Sequence, residues 1–215
     1  MQHPIQLILG SSSLSRKTVL DNVGLPFIQI TPDIDERAYP HETPTDHVCR
    51  LAQEKAQAVL AKYQHTASDP EPALIIASDQ VALVKNQIIG KPHTVEKAFE
   101  VLQALSGETI RFYNGISVVY LRNQQHQQIT RLTYTDVVFR VLSDREIRAY
   151  LAREQPLSCA GSFKSEGLGI ALVERILGED PHGLIGLPII EVFTIFREMD
   201  VEPLLQAFTP PAVPQ

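Results

Sequence analysis

Two long runs rich in β-branched and aromatic residues, 109–121 and 128–141, lie end to end in the middle of the chain with a polar turn between them. Side chains of that kind pack well on a pleated surface, so the pair predicts a long antiparallel hairpin. The hairpin constrains everything around it. Short apolar runs at 5–9 and 74–77 read as buried strands, and each adjoins a segment with helical spacing. A chain that mixes strands and helices throughout, with a hairpin at its centre, predicts an α/β or α+β fold on a mixed sheet.

The helix signals are local ones. Gly10 and three serines break the first strand, and the stretch 14–23 then reads as a helix ending near Gly24. Residues 27–30 read as a short strand and 31–43 as a loop. Thr43 before Pro44 is a good helix start, and Val48, Leu51, Ala52, Lys55, Ala56 and Val59 follow with helical spacing. Residues 81–84 and 87–89 predict a tight hairpin around Lys85-Asn86. Thr94 caps a helix carrying Ala98, Val101, Leu102 and Leu105, with Gly107 beyond its end. Ser143 and Glu146 form a capping box for a helix through Ala152, and 188–197 is the last helix. No linker divides the chain. Residues 1–208 read as a single domain of two lobes, and 209–215, with three prolines, as a Pro-rich tail.

Composition narrows the classes of function. At 215 residues the chain is long enough for a sizeable core. A net charge of −6 argues against a broad nucleic-acid surface, which needs a basic footprint, yet leaves room for a small polyanion in a local basic pocket. The two cysteines, Cys49 and Cys159, lie far apart and fit a reducing compartment. Met1-Gln2-His3-Pro4 lacks a cationic leader, and no apolar run approaches the ~20 residues of a membrane span. These features predict a cytoplasmic protein without a membrane partner. The seven histidines show no paired metal spacing.

Six segments have chemistry to offer. Gly10-Ser11-Ser12-Ser13-Leu14-Ser15-Arg16-Lys17 joins a strand to a helix start bearing two cations. It suits a phosphate, or it is an ordinary strand–helix turn. It is not a Walker loop. Asp33-Ile34-Asp35-Glu36 gathers carboxylates that either collect a divalent cation or are simply solvated. Lys55 falls on the apolar stripe of its helix, where a snorkelling stem is the default and a ligand contact the alternative. Asp79 follows a buried apolar strand, a costly place for a carboxylate unless it is hydrogen-bonded or coordinates something. Lys91 sits in a tight Gly90-Lys91-Pro92 turn, where lysines are usually solvated. The small-residue segment from Cys159 to Gly167 carries Lys164 and Glu166 and reads either as a loop closing over a ligand or as a plain connection.

The order of these pieces is more specific than any one of them. The series Gly10-Ser11-Ser12-Ser13 with Arg16, Ile34-Asp35-Glu36, Lys55-Ala56, Ser78-Asp79-Gln80, Gly90-Lys91-Pro92, Ser106-Gly107, Cys159-Ala160-Gly161-Ser162 and Gly186-Leu187-Pro188 resembles the Maf family of nucleoside triphosphate pyrophosphatases. The resemblance runs from about Leu7 to Arg197. The segments around Lys55, Asp79 and Ala160–Gly167 are similar to the branch that hydrolyses 7-methyl-GTP. Where the family has Ser-x-Ser-Pro-Arg-Arg, this chain has Leu14 for the Pro and Ser15 for the first Arg. Asn114 stands where many relatives have Thr.

The resemblance implies an elongated mixed sheet flanked by helices, with the active-site cleft between two lobes, and a homodimer. It implies hydrolysis of a nucleoside triphosphate to the monophosphate and diphosphate with a divalent cation, Mg²⁺ or Mn²⁺, keeping modified nucleotides out of nucleic acids. Asp79 matches the family's proton acceptor. Ser11, Arg16, Lys55 and Lys91 match phosphate-side positions, and Glu36 with Asp79 the metal side, for which Asp35 and Glu54 are further candidates. Ser15, Gln80 and Glu166 match positions linked to base choice. The alternatives are the same reaction on dTTP or UTP, and a nucleotide-binding regulator of cell division and septum formation.

Overall fold

The computed structural model describes residues 4–66 and 72–210. His3 and residues 211–215 of the Pro-rich tail lie outside the described residues. In chain order the first elements are β1 (Gln6–Leu9), α1 (Leu14–Val23), β2 (Ile28–Gln29), α2 (Pro44–Thr66), β3 (Ala73–Val84) and β4 (Gln87–Ile89). There follow α3 (Val95–Leu105), β5 (Thr109–Arg122), β6 (Gln125–Phe139), α4 (Asp144–Glu154), β7 (Val173–Gly178) and α5 (Ile189–Glu198).

The local stop and start signals act as the sequence predicts. Ser13 caps α1, accepting a hydrogen bond from the Arg16 N–H, and Gly24 ends it in the left-handed region at φ 78°. Thr43 Oγ1 accepts from the Asp46 N–H at the start of α2. Thr94 caps α3, and Ser143 with Glu146 closes a capping box on α4. α4 runs on to Glu154, beyond Ala152, and ends at Gln155 in the left-handed region. The last helix is shifted by one residue, with Pro188 at its N-cap.

The strands differ from expectation in three respects, the ends of β2 and β6, the presence of β7 and the extent of β3. β2 is shorter than 27–30, and β6 stops before Val141, which is 83% exposed. β7, an edge strand of mostly exposed residues, has no sequence counterpart. The third difference matters most. The runs 74–77 and 81–84 are one strand, because Ser78, Asp79 and Gln80 continue the ladder opposite Ile116, Gly115 and Asn114 of β5. Asp79 therefore lies mid-strand and not at a strand end.

The sheet order is β2-β1-β3-β5-β6-β7, with β4 also paired to β3. β2, β1 and β3 run parallel, and the β3-β5-β6-β7 ladder is antiparallel. One edge of β3 is shared. β1 pairs with Ala73 to Ile76 and β4 with Ala82 to Val84. Between them residues 77–81 have no strand partner on that edge among the described residues. The mixed sheet thus opens a notch at the polar triplet.

The core is divided accordingly. One apolar cluster packs α1 and α5 against one face of β1, β3 and β5, and a second packs α2 against the other face. A third gathers α3, α4 and the far ends of β5 and β6 into the second lobe. Gly115 fixes how close α2 lies to the sheet. A Cβ there would stand 2.1 Å from the Val48 carbonyl oxygen, so the helix rests directly on the β5 backbone. At the other end of the chain, Thr209 N–H donates to the Ile5 carbonyl at 2.9 Å. Among the described residues no helix is long and apolar enough to cross a membrane.

Candidate active site

Strand alternation sends the polar triplet of β3 to two sides. Asp79 shares a face with Ile75 and Ala77, which is the face covered by α2. Ser78 and Gln80 point the other way, toward the 3₁₀ turn Gly183–Ile185.

On the α2 side, Lys55 Nζ lies 2.7 Å from Asp79 Oδ1 and 2.7 Å from Glu36 Oε1. Lys55 is only 6% exposed. The snorkelling default is overturned: the stem stays on the apolar stripe, and the ammonium turns inward to two carboxylates rather than out to water. The close seating of α2 over Gly115 makes this reach possible. The Glu36 side chain is 57% exposed, so it covers the outer side of the ammonium. The two other acidic candidates are engaged elsewhere. Asp35 pairs with Arg37 at 2.6 Å and Glu54 with Arg50 at 2.9 Å, and neither lines the cleft.

On the other side, Arg16 Nε donates to the Gly186 carbonyl at 3.0 Å, and its Nη1 lies 3.5 Å from Ser11 Oγ. Ser78 Oγ donates to the same Gly186 carbonyl at 2.8 Å. Gly186 is left-handed at φ 93°, and a Cβ there would meet Arg16 Nε at 3.2 Å. Burial lowers the Arg16 pKa from its ordinary value, and the charges of Asp79 and Glu36 act against that shift. An arginine stays protonated regardless, so the site keeps a fixed positive charge. Ser11 is buried, and its Oγ accepts from the Ser13 N–H at 3.1 Å.

Ser11, Arg16, Glu36, Lys55 and Asp79 line one cleft of about 630 Å³ together with Ser15, Gln80, Lys91, Cys159, Phe163 and Glu166. All nine predicted site residues are on its wall. Their surroundings differ. Ser15, Lys91 and Glu166 are exposed, and Glu166 accepts one hydrogen bond, from Ser165 Oγ at 3.1 Å. The loop bearing Glu166 is fastened behind it. Glu154 accepts from Lys164 Nζ at 2.8 Å and from the Leu168 N–H at 2.7 Å. Tyr150 donates to the Ser162 carbonyl and accepts from the Lys164 N–H. Lys164 thus anchors the loop instead of facing the ligand space. Cys159, on the cleft wall, has a thiol pKa pushed up by burial and then by the charge of Glu166.

Sequence reasoning left several site elements unassigned. The carbonyls of Gly183, Leu184 and Gly186 hold Gln80, Asn114, Arg16 and Ser78, and backbone acceptors carry no side-chain signal. The only trace of them is the glycine spacing before Leu187-Pro188. His47 lines the cleft, and its Nδ1 lies 2.9 Å from Glu42 Oε2. Glu42 also receives Arg50 at 2.6 and 2.9 Å, which ties the loop carrying Glu36 back to α2.

Chemically, the cleft places cations and hydroxyls beside two carboxylates that share one ammonium. That suits a polyphosphate bridged to the protein by a hard divalent cation. Such an ion is commonly held by one or two carboxylates, with phosphate oxygens and waters completing its sphere. Among the described residues no group of three or more His, Cys, Asp and Glu side chains is placed to hold a metal alone, so the protein's share would be the pair Glu36 and Asp79.

The sequence profile of the Maf-like proteins matches residues 6–199, on which every site element above lies. The chain belongs to the Maf family. It is similar to the 7-methyl-GTP pyrophosphatase of Hydrogenovibrio crunogenus, 46% identical over 92% of this chain and 94% of that protein. It is also similar to proteins of the same name from Vibrio cholerae, 46% identical over 89% of this chain and 94% of that one, and from Pseudoalteromonas translucida, 41% identical over 98% and 99%. The predicted site residues thus converge from six separate segments: the α1 start, the acidic loop, α2, the notch of β3, the turn bearing Lys91 and the loop bearing Glu166.

Proposed function

We propose that this Maf protein hydrolyses 7-methyl-GTP to 7-methyl-GMP and diphosphate, and so keeps a modified nucleotide out of nucleic acids. The observation that carries the reading is Asp79, held beside Lys55 and Glu36 in the open notch and facing the cleft that Arg16 and Lys91 line. The names of the similar proteins support the substrate.

In this reading Asp79 takes the proton of a water that attacks the α-phosphorus. A new P–O bond forms there, the α–β bridging P–O bond breaks, and diphosphate leaves. Lys55 orients the Asp79 carboxylate. Arg16, Lys55, Lys91 and Ser11 offset the negative charge that grows on the leaving group, from positions fixed before the substrate arrives. Glu36 and Asp79 would hold Mg²⁺ or Mn²⁺, which when bound polarises phosphoryl oxygens and neutralises part of their charge. Ser15, Gln80 and Glu166 line the base end. The Glu166 carboxylate accepts from guanine N1–H and its 2-amino group, and it favours the cationic N7-methylated ring over neutral guanine. The same reading extends to a homodimer in the cytoplasm, and sedimentation of the purified protein tests the dimer.

The deciding experiment is diphosphate release from 7-methyl-GTP, GTP, dTTP and UTP with Mg²⁺, with Mn²⁺ and with a chelator. The expected result is metal-dependent release, fastest with 7-methyl-GTP. Faster release from dTTP or UTP would move the substrate to the alternative branch. Tight binding with no release under either metal would favour a nucleotide-binding regulator.

A further inference from the structure

Gln80 and Asn114 face each other directly across the β3–β5 ladder. Gln80 Nε2 donates to Asn114 Oδ1 at 3.0 Å, to the Gly183 carbonyl at 3.1 Å and to the Leu184 carbonyl at 3.2 Å. Asn114 is fully buried, and its Nδ2 donates to the same Gly183 carbonyl at 2.8 Å.

A side-chain amide can normally turn over, exchanging its oxygen for its nitrogen. Here neither can. A backbone carbonyl only accepts, so the Gly183 oxygen requires nitrogen from Asn114. That leaves the Asn114 oxygen pointing at Gln80 and requires nitrogen from Gln80 in turn. A reversed Gln80 would set its oxygen against three acceptor oxygens. Oε1, which takes no hydrogen bond from the described residues, remains the free polar atom of a side chain on the cleft wall.

We infer that Asn114 is a positioning residue for base selection: with the Gly183 and Leu184 carbonyls it locks the Gln80 amide so that only its oxygen is offered to the base. This rests on the nucleotide reading of the cleft. Beside the Ser15 hydroxyl, which can donate or accept, the base end then presents two groups that only accept, Gln80 Oε1 and the Glu166 carboxylate. It takes a base edge bearing N–H donors or positive charge and rejects an edge of lone pairs. Asn114 touches no substrate, and its effect passes through Gln80.

The test is Asn114→Leu in the wild-type and Gln80→Ala backgrounds, assayed on 7-methyl-GTP and UTP. The expected result is a fall of about tenfold in the ratio of the two kcat/KM values, carried by KM. In the Gln80→Ala background Asn114→Leu should shift the ratio no further, because the group it positions is gone. Asn114→Thr, smaller and still polar, should move the ratio the same way and decides the matter if the leucine variant does not fold. A uniform loss on both nucleotides with the ratio intact, or a full additional effect in the Gln80→Ala background, would overturn the inference. If the wild-type protein binds these nucleotides without releasing diphosphate, the proposed reaction fails. The Asn114 inference is then read from the ratio of dissociation constants, where an unchanged ratio overturns it. No binding of either nucleotide would overturn both.

Discussion

At the proposed phosphate end of the cleft, Lys55 is buried between two carboxylates and Arg16 is fixed to a backbone carbonyl. At the proposed base end, Ser15 and Glu166 are exposed, and Glu166 has one hydrogen bond, from its own neighbour. The proposed phosphate end is centred on groups tied to strand, helix and backbone, Lys91 apart, while most of the proposed base end is loosely held on a helix start and a loop. Of the groups proposed to act on any triphosphate, Lys55, Asp79, Arg16 and Ser11 are held against the core of the fold, while Lys91 and Glu36 sit on an exposed turn and loop. Groups that choose among bases can be changed without disturbing that core. Gln80, also proposed for the base end, is the exception, because its amide is hydrogen-bonded to Asn114 within the sheet.

Substitutions can break this division or sharpen it. The largest effect is expected for Asp79→Asn. Diphosphate release should fall about 10²-fold or more on every nucleotide alike, with binding retained. Undiminished turnover would remove Asp79 from its role. Next is Lys55→Met, which leaves Asp79 facing Glu36 without their shared cation. Because Glu36 is largely exposed, the loss should be about 2 kcal/mol, below that of a sealed pair, read from urea unfolding. Unchanged stability would mean that the triad is not a structural joint.

Glu166→Gln should do the reverse. Its unfolding midpoint should match wild type, while the preference for 7-methyl-GTP over GTP falls by roughly tenfold at most. A change in overall turnover with the preference intact would erase the contrast between the two ends. The smallest effect concerns Glu42. The Arg50 guanidinium holds its carboxyl well below the usual carboxylate value of 4.5. A folded-state pKa that is depressed contributes stability above the unfolded value and loses it as pH falls below that value. Wild type should therefore lose more stability than Glu42→Gln as pH drops below about 4.5, and salt should shrink the difference. Parallel pH curves for the two proteins would remove the latch.

What the sequence revealed, and what it hid, follows the range of the interactions. The caps at Ser13, Thr94 and Ser143 are settled within a few residues, and the helices they start are legible. The long hairpin announces itself by composition. β7 does not, because its exposed residues form a strand only by pairing with β6. Ser78-Asp79-Gln80 looks like the end of a strand in a local window, since the pairing that carries β3 through it comes from Asn114, Gly115 and Ile116. The inward turn of Lys55 depends on partners from the acidic loop before it and from β3 after it. The order of the motifs identified the cleft residues as a group. Their division into held and free ones depends on contacts that no local window contains.

The open stretch of β3 also bears on solubility. An unpaired strand edge invites another chain to add to it, and proteins usually shorten, charge or cover such edges. In this fold the vacancy covers only residues 77–81, with β1 and β4 occupying the edge on either side. It is too short and too walled-in to seat an incoming strand, and its centre carries Asp79. The protein can therefore leave the proposed working part of a central strand unpaired on one edge without offering a template for aggregation.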